Sequence, residues 1–240
     1  MNQNAERIGI EFWIKYNKHM SSHFITKFTK YFLYVFMAVC FVNIISNIMQ
    51  INLVNDYSFR NLYSDDVYQV LAEKNDSRVA IVSVLYGIFL ISSFFIIGRW
   101  LFVSSKINHL SHVKNLSISP GWAVGWYFIP FANLVMPYRS LKETFKASFN
   151  KVEWNIEKVP YVFPLWWTTY ILSNFCSGVS TRVYLSIDAY TPNAWKDYNL
   201  SSYLDIIADL LLIINAFALV RIIVTVHNNQ KDKNFLLRET

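Results

Sequence analysis

Four apolar stretches limit what this chain can fold into. They run from Tyr31 to about Ile51, from Val79 to about Phe102, from about Val162 to Ser180 and from about Ile206 to Val226. Each is close to the ~20 residues a helix needs to cross a hydrocarbon core. Inside such a core no water satisfies backbone N–H and C=O groups, so a spanning segment must close its own hydrogen bonds as a helix. The expected fold class is an all-α membrane protein with four transmembrane helices. Composition agrees: 54% of the 240 residues are hydrophobic and only 16% are charged, against roughly 25% charged in soluble domains. The first stretch reads as a retained span: about 30 residues precede it and no small-x-small cleavage site follows.

Lys and Arg set the orientation, because positive charge stays on the cytoplasmic side. Seventeen of the 22 lie before the first stretch, between Arg99 and Lys158, or from Arg221 onward; five lie in the two remaining loops. Both termini and the middle loop are therefore expected in the cytoplasm. The domains that follow are an N-terminal interfacial segment over 1–30, a four-span membrane domain over 31–226 with a cytoplasmic loop at 103–160, and a cytoplasmic tail over 227–240. Phe12, Trp13, Tyr16, Phe24 and Phe28 suggest a short interfacial helix in the first segment. The net charge of +6 does not imply nucleic acid, because the basic residues flank the apolar stretches and form no stripe on one domain. Cys40 and Cys176 both lie in apolar runs and read as inert thiols.

The middle loop contains Ser119-Pro120-Gly121-Trp122-Ala123-Val124-Gly125-Trp126-Tyr127-Phe128-Ile129-Pro130. Pro120 and Gly121 turn the chain. Gly121 and Gly125, four apart, would share a helix face and allow close backbone approach. Trp122, Trp126 and Tyr127 suit a membrane interface. Gly121 to Met136 is 16 residues, roughly 24 Å as a helix, and Pro130 interrupts it. A re-entrant or interfacial aromatic element is expected there. After Pro137 the spacing of Tyr138, Leu141, Phe145, Phe149 and Val152 predicts an amphipathic cytoplasmic helix. Arg139, Lys142, Lys146 and Lys151 lie on its other face. Phe145 and Phe149 are expected to enter the interface while the basic residues meet anionic headgroups; the competing expectation is a helix packed against the ends of the spans.

These residues resemble a known family. A Trp and an Asn closing one helix (Trp100, Asn108), the run Ser119 to Trp126 with Phe128 to Pro130, then Ala132, Asn133, Leu134, Pro137 and Tyr138 look like the bacterial membrane family called domain of unknown function 4328. Many members have Trp where Tyr127 stands here. The resemblance implies an integral membrane protein and implies no chemistry; with the four stretches, the expected location is the inner (cell) membrane, as a multi-pass protein.

No phosphate-cradling loop, zinc-protease helix, nucleophile elbow or paired-cysteine motif occurs. No catalytic residue, cofactor or metal is therefore expected. His109 and His112 read as part of a basic patch. Polar residues inside the spans are the remaining candidates: Asn43, Ser46, Asn47 and Gln50 on the first; Ser173, Asn174, Ser177, Gly178 and Thr181 on the third; Asp209, Asn215 and Arg221 on the fourth. The main expectation is interhelical packing, with Asp209 pairing to Arg182; the alternative is a polar pathway. Two functions follow: a non-enzymatic scaffold, sensor or assembly component, or a small oligomeric channel or transporter. The expected partners are membrane lipid with anionic headgroups and, for a pore, further copies of the chain.

Overall fold

The helices run well past the apolar stretches that nucleate them. In the computed structural model they are α1 (Gln3–Ser58), α2 (Asp65–Leu110), α3 (Pro120–Gly125), α4 (Met136–Ser148), α5 (Val162–Leu185) and α6 (Ala194–Leu236). The structure describes the backbone of residues 3–58, 64–111, 113–149, 153–188 and 194–236, and side chains within those stretches from 22 to 231. No strand occurs among the described residues.

Three helical segments are long and apolar enough to cross a membrane: Ser22–Ser58, Asp65–Leu110 and Ala194–Lys231. They mark the chain as a membrane protein. On α2, Ile81, Val84, Ile88, Ile91 and Phe95 are exposed along one side, a stripe that suits hydrocarbon and would be a liability in water. The expected third span is α5. Its 24 residues have the length, but Thr168, Thr169, Ser173, Asn174, Ser177, Ser180 and Thr181 dilute its apolar character.

Two boundaries differ from the sequence reading. α1 is continuous from Gln3 to Ser58, so no break sets off a separate N-terminal interfacial helix; the side chains of Phe12, Trp13 and Tyr16 lie outside the described residues. α6 continues to Leu236, and Gln230, within the segment read as a cytoplasmic tail, is buried.

The chain divides into two compact units, Leu33–Ser92 with Pro164–Ala218, and Met1–Phe32 with Ser93–Phe163 and Leu219–Thr240. In the first of these, α5 and α6 are joined by side-chain-to-carbonyl bonds seven residues apart. Asn215 Nδ2 donates to the Trp166 carbonyl (2.6 Å), Ser173 Oγ to the Ala208 carbonyl (3.1 Å) and Ser180 Oγ to the Ser201 carbonyl (3.0 Å). The register is antiparallel, since each step of seven up α5 is a step of seven down α6. These short polar groups let two helices approach closely. α1 joins through its predicted polar face: Asn43 Nδ2 donates to Asp209 Oδ2 (2.8 Å), and Arg78 of α2 donates to the Ser46 carbonyl (2.9 Å). Asp209, 1% exposed, thus takes the Asn43 amide and not Arg182, which is exposed. Asn47 is buried and back-bonds to the Asn43 carbonyl (3.1 Å).

Asn174 departs from the expected packing face. It is exposed and donates within its own helix, to the Tyr170 carbonyl (2.7 Å); Thr181 does the same at Ser177 (2.9 Å). The face that turns inward is Trp166, Thr169, Ser173 and Ser180. Asn215→Ala should therefore lower stability in detergent by about 0.5–2 kcal/mol, and Asn174→Ala should leave it unchanged. Thermal unfolding of the two variants side by side checks this; equal losses would contradict the ladder.

Candidate functional site

The second unit gathers most of the motif residues. Ser119 caps α3: its side-chain oxygen accepts from the Trp122 N–H (3.4 Å), with Pro120 at the first helical position, where its missing N–H costs nothing. The helix lasts only six residues and passes into a 3₁₀ turn over Trp126–Phe128 and a second over Ala132–Leu134. Between them Pro130 breaks the chain, and Phe131 sits at φ 63°, a region costly for any side chain. A continuous spanning helix over 121–136 is thereby excluded. The backbone turns hold themselves: Asn133 N–H donates to the Ile129 carbonyl (3.0 Å) and Ala132 N–H to the Pro130 carbonyl (2.7 Å).

α4 follows, with Pro137 buried in its first turn. Its inner face is Ser140, Leu141, Thr144, Phe145, Ala147 and Ser148. Phe145 stacks edge-on against Phe163 (centroids 4.8 Å) and Phe149 (5.4 Å), and Tyr138 meets Phe163 edge-on at 6.4 Å. Phe145 is thus core, not a membrane-inserting side chain. Val152 and Lys151 lie outside the described residues, as does His112; His109 turns back on its own helix at the Ser105 carbonyl (3.0 Å).

One asparagine ties this arrangement together. Asn108, 1% exposed, donates through Nδ2 to the Thr144 carbonyl (2.9 Å) and accepts at Oδ1 from Gln230 Nε2 (2.9 Å). Gln230 also donates to the Ser104 carbonyl (2.9 Å), and Asn229 donates to Ser148 Oγ (2.9 Å). The ends of α2, α4 and α6 are thus joined through one amide. Trp100 is buried beside them with no acceptor for its Nε1 among the described residues.

The glycines behave differently from expectation. A Cβ at Gly121 would meet nothing within 4 Å, and one at Gly125 would meet the Trp122 ring of its own helix at 3.2 Å. Neither supports a helix–helix approach, because α3 is too short to present a face and Trp122 folds over Gly125. The close contact lies at Gly98 of α2, where a Cβ would stand 3.2 Å from Val124 Cγ1.

The outer face of α4 and the turn before α3 enclose a groove of about 560 Å³. Trp122 and Trp126 form one wall, with rings 4.7 Å apart and tilted by 33°. Arg139, Lys142 and Lys146, at i, i+3 and i+7 on α4, line another. Glu143 lies among them, but its carboxylate is taken by the loop: it accepts from the N–H groups of Ser117 (3.2 Å) and Ile118 (2.9 Å) and from the Ser117 hydroxyl. Lys146 Nζ donates to the Asn155 carbonyl (2.6 Å), and Trp154 Nε1 donates to the Lys114 carbonyl (2.8 Å).

A family model described as Domain of unknown function (DUF4328) matches residues 64–228, more than two-thirds of the chain. The chain belongs to this family. The match takes in α2, the groove, α5 and most of α6, so the groove is part of the DUF4328 region. No curated protein and no solved structure matches the chain.

Of the motif residues, Trp100, Asn108 and Pro137 serve the core, Tyr138 is half-buried against Phe163, Pro120, Pro130 and Asn133 shape the turns, and Trp122 and Trp126 line the groove. The intramembrane candidates Asn43, Asn47, Asp209 and Asn215 lie together in the other unit, while Arg221 is exposed on α6. Sequence reasoning missed Gly98, Glu143, Arg78 and Gln230. Gln230 carried no signal because it stands beyond the apolar run; Gly98 carried one, a lone glycine closing an apolar helix stretch.

Gly98→Leu should destabilise the protein by about 1–3 kcal/mol through overpacking against Val124. Gly121→Ala should be neutral or stabilise by up to about 1 kcal/mol, since a helical site with open space gains from the lost chain entropy. Unfolding midpoints in detergent decide; the reverse order would restore Gly121 as the packing glycine.

Proposed function

We propose that this protein is a four-span protein of the bacterial inner membrane, with α5 as the additional span and both termini in the cytoplasm. Its role is that of a non-enzymatic scaffold, sensor or assembly component that presents the folded segment between α2 and α5 at the cytoplasmic face. The observation that carries this reading is the preformed cationic groove walled by two indoles. It is held by the Asn108 knot and the Glu143 clasp, and it lies within the family region. The partition of Lys and Arg supports the orientation, because the groove's three cations and its loop belong to the side rich in positive charge.

A second reading, a small oligomeric channel or transporter, has one observation in its favour. Asp209 is buried and hydrogen-bonded to the neutral amide of Asn43, and intramembrane carboxyls mark ion or proton pathways in many proteins. Flux through liposomes containing the purified protein, abolished by Asp209→Asn, would favour it.

Cysteine labelling tests the topology. In a background with Cys40→Ser and Cys176→Ser, Gln3→Cys and Arg238→Cys should resist an impermeant maleimide in intact cells and react after permeabilisation, whereas Ser186→Cys should react in intact cells. Labelling of either terminal site in intact cells would contradict the four-span arrangement.

A further inference from the structure

We infer that the groove between α3 and α4 binds the phosphate headgroup of an anionic phospholipid, with the lipid's apolar part lying over the exposed segment from Phe128 to Val135. The inference deepens the proposed function and rests on that reading's placement of the groove at the membrane's cytoplasmic face.

Charge is the first reason. Arg139, Lys142 and Lys146 share one face of α4 and line one groove. The carboxylate of Glu143 in their midst leaves the groove a net positive charge, three cations against one anion, and its oxygens are turned to the Ser117 and Ile118 N–H groups and the Ser117 hydroxyl. The partners seen for the lysines are a carbonyl for Lys146 (2.6 Å) and the face of Tyr138 for Lys142 (5.9 Å to the centroid), and neither cancels a charge. A phosphate group offers several acceptor oxygens and a negative charge to such a set, and Arg binds it in two-pronged fashion.

A leftover donor is the second reason. The Nε1–H of Trp126, in the groove wall, is buried and has no acceptor among the described residues. Buried donors are nearly always satisfied, so this indole has one hydrogen bond left to give.

The third reason separates a lipid from a soluble phosphate compound. Trp126 and Met136 line the groove, and the chain between them carries Phe128, Ile129, Phe131, Leu134 and Val135, all exposed, with Phe131 87% exposed. This segment packs along α4 through its two 3₁₀ turns, so an apolar strip adjoins the cationic site. A soluble phosphate ester would leave that strip bare, whereas acyl chains would cover it, with Trp122 and Trp126 at the boundary where indoles prefer to sit.

The test uses the full chain in a non-ionic detergent, with lipid retention followed by native mass spectrometry. Phosphatidylglycerol and phosphatidylcholine of identical chains are titrated separately, and glycerol phosphate is a third arm. The expected result is retention of phosphatidylglycerol at least tenfold tighter than either of the others. Arg139→Gln with Lys142→Gln should weaken it about thirtyfold, the loss of two charge contacts of about 1 kcal/mol each. Lys146 is left intact because it also braces Asn155. Lys196→Gln, an exposed cation of the other unit, should change nothing. Should the double variant unfold, Arg139→Gln alone, at an exposed site, should weaken binding about fivefold. Equal retention of both lipids, or full retention by the variants, would overturn the inference; glycerol phosphate binding as tightly as the lipid would replace it with a soluble ligand. Each of these outcomes leaves the labelling pattern untouched, so failure here is distinct from failure of the topology.

Discussion

The segment between α2 and α5 depends on one buried amide. Asn108 has a donor and an acceptor, and uses both: one on the Thr144 carbonyl of α4, one on the Gln230 amide of α6. A buried polar group left without partners costs about 1–3 kcal/mol, so the three helix ends are held in a single arrangement in which both bonds form. α4 is then fixed with Phe145 inward, and its outer face becomes the cationic wall of the groove. Glu143 completes the arrangement by holding the 117–118 backbone, which starts α3 where Ser119 can cap it.

The same device recurs in the other unit. Where the helix surface is apolar on all sides, hydrophobic burial does little to specify which face meets which neighbour, because lipid is as apolar as the core. The polar groups supply the register: Asn215, Ser173 and Ser180 at steps of seven between α5 and α6, and Asn43 and Ser46 on α1. Their positions decide which helices are neighbours, and α2, which presents mostly aliphatic side chains, keeps a broad exposed stripe for lipid.

Much of this was legible in the sequence, for physical reasons. Hydropathy marked α1, α2 and α6, and the spacing of Asn43, Ser46, Asn47 and Gln50 marked an inward polar face. Pro120 and Gly121 marked a turn, and the Phe145 spacing marked an amphipathic helix. What hydropathy could not show was the partner of each face. Asn174 and Ser173 are adjacent and equally polar, yet only Ser173 faces α6. Gly121 and Gly98 are both small, yet only Gly98 meets another helix. The spacing sent Phe145 toward the membrane interface, whereas Phe163, eighteen residues on, closes over it in the core. Gln230 lay past the apolar run, and its amide is bonded to Asn108 and Ser104 from distant sequence.

The central claim is that Asn108 and Gln230 act as one unit in holding the groove-bearing segment. A double-mutant cycle on unfolding in detergent, with Asn108→Ala, Gln230→Ala and the pair together, measures this most directly. The account predicts a coupling of about 1 kcal/mol or more, the double variant losing less than the two single variants combined. Additivity within about 0.5 kcal/mol would show the two side chains acting independently and would contradict it.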